Sequence, residues 1–288
     1  MKIIIGNRTY SSWSMRGWLV FDAFGIPVQV QRAQMYTDAF PALLAAFAPA
    51  RTVPALRLPQ GPVIAESLAI AEELASRHPE AALWPQDPGA RAVARSMAAE
   101  MHAGFRALRA GCPMNLRAAH PRTALAADIL ADLTRLQQIW DWARDTTGAS
   151  GDWLCGGYSV ADAFFAPVAA RIASYDLPVG PRAAAYVAAH LAHPSFRRWR
   201  AMALVDGPDQ TRYHRDALHR PWPGPAPIAA RVVAHGPSVN AACPYSGKPV
   251  TDFADIGGRI WGFCNAFCRD KTVADAEAWP AFMAIYHS

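Results

Sequence analysis

Lysine is almost absent from this chain. Of its 28 basic residues only Lys2, Lys248 and Lys271 are lysines, which leaves 25 scattered arginines. The net charge of +5 and the pI near 9.1 therefore come without a basic cluster interleaved with aromatics, and no nucleic-acid motif accompanies them. A nucleic-acid partner is not expected. Long hydrophobic runs are missing too. No apolar stretch approaches the roughly 20 residues that a membrane helix requires, so no membrane partner is expected either. Met1 and one lysine lead straight into a strand-like run, which is not a secretory signal pattern. Charge is sparse, at 18% against 52% hydrophobic residues, as in a folded chain with a large core. The five cysteines are an odd number. That argues against a disulfide framework and, with the rest, for a cytoplasmic protein.

What is present is organised around the first twenty residues. Lys2 to Gly6 is a β-branched run that ends at a glycine and reads as a buried strand. After a polar turn at Asn7–Tyr10, Ser11-Ser12-Trp13-Ser14-Met15-Arg16 opens a helix with Trp13, Leu19, Val20 and Phe24 at helical spacing. Serines at a helix start are good caps. Where a strand feeds the helix directly, their hydroxyls and the free N–H groups also favour a bound anion, a thiolate or a carboxylate. Pro27–Gln31 alternates like a strand, Met35–Ala48 is weakly helical, and Arg51–Leu56 is a strand entered through Val53-Pro54. Val63–Ala65 is a further buried strand, and Glu66-Ser67 starts a helix that ends at His78-Pro79. The order is β-α-β-α-β-β-α in about 80 residues, a thioredoxin-like arrangement.

Three motifs in this order, Ser-Ser-Trp-Ser-x-Arg, Val53-Pro54 and Glu66-Ser67, make residues 1 to about 205 resemble a glutathione S-transferase. The resemblance implies a thioredoxin-like domain over 1–80 and an all-helical domain over 87–205. It also implies a homodimer that uses glutathione against a small electrophile. Val53, before a cis Pro54, would hold the cysteinyl part of glutathione. Ser67 and its helix N-terminus would take the γ-glutamyl carboxylate and Glu66 the ammonium, with Arg51 near the glycyl end. A serine hydroxyl would lower the pKa of the glutathione thiol, ordinarily near 8.5. Counting back five residues from Arg16, as in the zeta and tau classes, points to Ser11; Ser12 is the immediate competitor. Trp13 stands where the zeta class carries cysteine, which weighs against zeta-type isomerase activity. Glutathione-dependent isomerisation, in which the thiolate adds and leaves again, shares the site. A transferase fold kept as a non-catalytic scaffold is the rival from another class.

Beyond Asp87 the chain is alanine-rich and helical: Pro88–Cys112, Pro121–Thr147, a helix opened by the capping-box-like Ser159-Val-Ala-Asp162, and a last helix from His193 to Leu204. Met114-Asn115-Leu116-Arg117 falls where the family lines its second-substrate pocket. With Trp13, the residues Met114 and Arg117 would suit an apolar acceptor with one anionic end. Residues 206–237 are proline-rich and read as a linker.

Residues 238–288 form a separate small unit. Cys243-Pro-Tyr-Ser-Gly is a knuckle-like turn. Arg259–Phe263 reads as a strand feeding a helix, with Cys264 and Cys268 four residues apart and so on one face. The unit resembles the YHS/treble-clef family of small metal modules, which implies a zinc-like ion on Cys243, Cys264 and Cys268. A structural zinc site wants four ligands, and Ser246 stands at the second knuckle position. His235, His287, Asp252 and Asp270 are candidates for the fourth. The alternative is a metal-free unit held by Trp261, Phe263, Phe267, Trp279 and Phe282.

Overall fold

A computed structural model describes all residues, Met1 to Ser288. The chain divides into two compact units: residues 1–191 with 209–223, and residues 192–208 with 224–288.

The first unit opens on β1 (Lys2–Ile5) and α1 (Ser12–Asp22), followed by β2 (Gln29–Arg32), α2 (Ala39–Ala45), β3 (Ala55–Arg57), β4 (Val63–Ala65) and α3 (Ser67–Arg77). The sheet order is β2-β1-β3-β4, with β1 parallel to β2 and antiparallel to β3. Ile3, Ile4 and Ile5 are fully buried, as a central strand covered on both faces requires. Gly17 explains how α1 sits so close to the β3 entry. A Cβ there would lie 2.7 Å from the Pro54 ring, and the Val53–Pro54 bond is cis. The weak helical stretch expected over 35–48 is helical only at 39–45.

The helical part comprises α4 (Pro88–Ala103), α5 (Arg106–Gly111), α6 (Ala127–Thr147), α7 (Val160–Ser174) and α8 (Pro181–Ala192). The single helix expected over 88–112 is two. The chain breaks at Gly104, where a Cβ would meet the Glu100 carbonyl at 2.8 Å, and Phe105 turns through a φ of 56°. All of α7 is buried, and it packs against both α1 and α4. Its start carries the capping box: both the backbone N–H and the hydroxyl of Ser159 donate to Asp162. Leu154 N–H and Tyr186 O–H also donate to Asp162. Four donors satisfy a fully buried carboxylate, as burial of such a group requires. No helix is long and apolar enough to cross a membrane.

The second unit takes α9 (Pro194–Leu204) together with a three-stranded antiparallel sheet, β5 (Ala230–Val233), β6 (Asp252–Ile256) and β7 (Arg259–Phe263). The helices α10 (Ala266–Ala274) and α11 (Pro280–Tyr286) complete it. Residues 206–237, read from sequence as one linker, are therefore shared. Residues 209–223 belong to the first unit, and Ala230–Val233 is an edge strand of the second. Arg197 of α9 forms a bidentate pair with Asp275 at 2.8 and 2.7 Å, which ties this last helix to the cysteine module. Trp261, Phe263, Trp279 and Phe282 form its buried core, with the Trp261 and Phe282 rings 5.2 Å apart. Phe267, expected with them, is 43% exposed because it follows Asn265 on the outer side of the first turn of α10.

Candidate active site

The start of α1 faces a cavity of about 640 Å³ in the first unit, lined by Ser11, Ser12, Trp13, Arg51, Val53 and Met114 of the expected residues. The two serines do different things. Ser11 is the N-cap: its Oγ accepts from Ser14 N–H at 3.3 Å and donates to Ser14 Oγ at 2.8 Å. Ser14 Oγ also accepts from Gly6 N–H, so the Ser11 hydroxyl is spent on holding the β1–α1 junction. Ser12 Oγ accepts from Arg171 Nη2 at 3.3 Å, which leaves its own proton free for something in the cavity.

Arg171, in the last turn of α7, belongs to no motif of the sequence. It is buried, and three of its five N–H groups go to neutral oxygens: Cys112 O at 2.9 Å, Pro167 O at 3.1 Å and Ser12 Oγ. Burial, with Arg109 adding to it, lowers its pKa to about 10, so it stays charged at neutral pH. Arg109 lines the same cavity and is also lowered, chiefly by burial. Behind them Arg16 is fully buried, with all three guanidinium nitrogens lacking a hydrogen-bond partner. Arg16 and Arg109 approach the Trp13 ring at 4.6 and 5.2 Å, a cation–π arrangement that desolvation strengthens. The cavity lining holds Arg51, Arg109 and Arg171 and no carboxylate. That lining suits an anion.

Residues 35–41 supply much of the remaining wall, and one residue comes from the 209–223 segment. Tyr213 lines the cavity and stacks on Tyr10 at 4.4 Å. Tyr10 O–H donates to Asp209 Oδ1 at 3.0 Å and accepts from Gln210 N–H at 3.1 Å. Arg117 donates to the same carboxylate at 2.6 Å, which holds Asp209 below the usual carboxylate range. Arg117 was expected beside Met114 in the acceptor pocket. It lines a neighbouring cavity of about 290 Å³ instead, drawn there by Asp209. Tyr10, Tyr213, Arg109 and Arg171 went unremarked in the sequence. The one readable signal was Arg171, a lone basic residue in a helix whose only other charge is the capping Asp162.

Glu66 and Ser67 do not line the large cavity. Glu66 adopts φ 71° and ψ 126° before the first turn of α3, and its carboxylate lies 3.6 Å from His102 Nε2. Burial keeps His102 below its ordinary pKa, against the pull of Glu66. Ser67 is fully buried and its hydroxyl has no partner. A buried unpaired hydroxyl at the start of an eleven-residue helix is a fit for a carboxylate. Pro54 is buried behind Val53.

In the second unit the sulfurs of Cys243, Cys264 and Cys268 lie within 4.8 Å of one another, and no histidine or carboxylate joins them. Asp252 and Asp270, two of the expected fourth ligands, are paired with Arg269 at 3.0 and 2.7 Å. Burial raises Cys243. The N–H groups of Tyr245 and Cys264 and the Ser246 hydroxyl outweigh it and bring the thiol to about 7. Cys268, with fewer donors, is pushed up to about 12 by burial and the neighbouring sulfurs. Two tetrahedral bonds of about 2.3 Å place their sulfurs about 3.8 Å apart, so the cluster suits a thiophilic ion after a small contraction.

Residues 10–77 match the family model described as glutathione S-transferase, N-terminal domain. A search among curated proteins finds no match. Among solved structures, a Burkholderia glutathione transferase homologue with bound glutathione superposes with a TM-score of 0.53 at 22% identity, over 70% of this chain and 97% of that one. Glutathione transferase Omega 2S from Trametes versicolor, in complex with 2,4-dihydroxybenzophenone, gives 0.52 at 23% identity over 69% and 93%. A bacterial maleyl pyruvate isomerase of the zeta class gives 0.50 at 23% identity over 73% and 99%. At these identities the likeness establishes the fold, which is that of the glutathione transferases.

Proposed function

We propose, from that fold, that the first unit is a glutathione-dependent enzyme acting on a small electrophile that carries an anionic group. Ser12, not Ser11, is the hydroxyl that holds the glutathione thiolate. The observation that carries the reading is the Arg171–Ser12 contact in a cavity with three guanidiniums and no carboxylate. The guanidinium engages the Ser12 oxygen and polarises its O–H bond, so the proton is directed at a sulfur that approaches from the cavity. A charge-assisted hydrogen bond of this kind favours the thiolate. Val53 and Arg51 hold the cysteinyl and glycyl parts of glutathione, while Ser67 and Glu66 receive the γ-glutamyl end. Arg171 and Arg109 take the acceptor's anionic group, the role first expected of Arg117. Trp13, Met114 and Tyr213 supply apolar contact. The thiolate then attacks the electrophilic carbon, and either a leaving group departs with its electron pair or the adduct picks up a proton.

The same two arginines favour a second reading, isomerisation of an unsaturated acid. There the thiolate adds, the new single bond rotates, and the thiolate leaves again with no net consumption of glutathione. Product analysis separates conjugate from isomer. The reading includes a homodimer in the cytoplasm, as the resemblance to the family implies, and sedimentation checks the assembly state. For the second unit, the thiol geometry favours a zinc ion on Cys243, Cys264 and Cys268, in a treble-clef-like arrangement of knuckle, hairpin and helix.

The test is the ultraviolet absorbance of bound glutathione thiolate as a function of pH. Ser12→Ala is expected to raise the thiol pKa by about one unit, the equivalent of one hydrogen bond near 1.4 kcal/mol. Ser11→Ala should leave it nearly unchanged. An unchanged pKa in Ser12→Ala would sink the assignment. Glutathione that fails to bind the native chain would sink the enzyme reading and leave the scaffold reading.

A further inference from the structure

The three sulfurs of the second unit leave one corner of a tetrahedron to be filled, and every histidine or carboxylate considered for it is elsewhere. The corner has an occupant. The chain turns sharply after Cys243: Gly247 N–H donates to the Cys243 carbonyl, Cys243 N–H donates to the Lys248 carbonyl, and Gly247 has a φ of 68°. This turn delivers the Ser246 hydroxyl to the sulfurs. Ser246 Oγ donates to Cys264 Sγ at 3.2 Å and stands close enough to the Cys243 sulfur to favour its thiolate. In a tetrahedral site with bonds of about 2.1 Å to oxygen and 2.3 Å to sulfur, the oxygen–sulfur edge is about 3.6 Å. The hydroxyl is thus already near the position of a ligand.

A second observation concerns charge. A divalent ion that displaces the three thiol protons to solvent and takes a neutral hydroxyl leaves the site with one net negative charge. Lys271 stands one turn beyond Cys268 on α10 and is only 8% exposed. Its ammonium sits 3.6 Å from the Tyr245 ring centre and 3.7 Å from that of Trp279. Tyr245 belongs to the same knuckle as Cys243. The ammonium already acts on the Cys268 thiol in the direction that favours its thiolate, so thiolates held by a metal would face a resident positive charge. Asn265, the N-cap of α10, donates from Nδ2 to Cys264 Sγ at 3.2 Å while its Oδ1 receives Cys268 N–H at 2.9 Å. It ties the Cys264 sulfur to the backbone of Cys268, as an outer-shell group should.

We infer that Ser246 is the fourth ligand of a three-sulfur, one-oxygen metal site in which Lys271 balances the charge. The inference rests on the zinc reading above, and one experiment on the full chain separates the two. Zinc content and competition against a chromophoric chelator are measured for the native chain, Ser246→Ala and Ser246→Cys, and cobalt(II) spectra are recorded for each. The native chain is expected to hold one zinc, with cobalt charge-transfer bands of three thiolates. Ser246→Ala should lose about tenfold or more in affinity. Ser246→Cys should bind more tightly, with charge-transfer absorbance raised to that of four thiolates. If Ser246→Ala keeps native affinity and the native cobalt spectrum, the hydroxyl is no ligand and the inference falls while the zinc reading stands. If the native chain binds neither zinc nor cobalt, the zinc reading falls with it.

Discussion

Arg171 in the first unit and Lys271 in the second are both buried cations, and the fold treats them differently. Arg171 is clamped by three neutral oxygens and bounds a cavity of about 640 Å³. Lys271 is held between two aromatic rings, beside a turn of cysteines. A charge fixed by neutral partners keeps its field for whatever enters the cavity, and a preorganised charge of this kind acts strongly where water is scarce. A charge set beside resident thiols would meet its counter-ion once a metal holds them as thiolates, as inferred above. The first arrangement suits an exchanging ligand and the second a permanent one. Substituting the two cations tests that contrast. Arg171→Met should cost the most, about 100-fold in affinity for an anionic acceptor, because hydrogen bonds to charged groups are worth about 1.5–3 kcal/mol. It should leave zinc content untouched. Lys271→Met should do the reverse. Equal effects of either variant on both readouts would erase the distinction.

The next effect in size concerns what the second unit owns. The Arg197–Asp275 pair is bidentate, and its side chains are only 16% and 11% exposed. Asp275 also accepts from Ala278 N–H. Arg197→Ala leaves that carboxylate short of a partner and should cost about 2 kcal/mol. In a denaturant titration the loss should appear only in the transition of the unit that contains Trp261 and Trp279. A loss in the first unit's transition would mean that α9 has been assigned to the wrong unit.

Much of the first unit was legible because its signals are local. Ile3–Ile5, the Val53-Pro54 pair and the Glu66-Ser67 helix start give away their elements by residue type alone, and the elements follow along the chain in the order read from them. What the sequence did not show depends on contacts far apart in the chain. Tyr10 meets Tyr213 and Asp209 across about 200 positions, and residues 209–223 read as linker because proline and glycine mark irregular backbone whether or not it packs. The break at Gly104 was missed because one glycine in an alanine-rich helix is usually tolerated. In the site, the pattern pointed to the serine pair but could not divide their roles. That division rests on Ser14 and Arg171, one a neighbour and the other 159 positions away.

A smaller effect separates those two serines by where stability is lost. Ser11→Ala removes the N-cap of α1 and should cost about 1 kcal/mol with faster amide exchange in the first turn of that helix, whereas Ser12→Ala leaves the cap intact and loses about as much through the Arg171 donor left without its oxygen. If exchange at the start of α1 quickens in Ser12→Ala and not in Ser11→Ala, the roles drawn for them are reversed.

The smallest expected effect concerns the segment over the cavity. Asp209 accepts from Arg117 and from Tyr10, and its carboxyl is held below the usual range chiefly by Arg117. A carboxyl whose folded pKa is depressed contributes stability that is fully present above the unfolded value, about 3.9, and is lost as pH falls through the folded value. The Asp209 side chain is 76% exposed, so the pair should be worth less than about 1 kcal/mol. Tyrosine near-ultraviolet circular dichroism reports the Tyr10–Tyr213 stack directly. In the native chain the signal should hold down to pH values near 4 and fade below, whereas Asp209→Asn should show a weaker signal at neutral pH and no acid limb. The variant should raise KM for the acceptor slightly and leave the bound-thiol pKa alone, since Ser12 and Arg171 do not touch this carboxylate. An acid limb that persists in Asp209→Asn would place the titrating group elsewhere and remove Asp209 as the tie that holds the segment over the cavity.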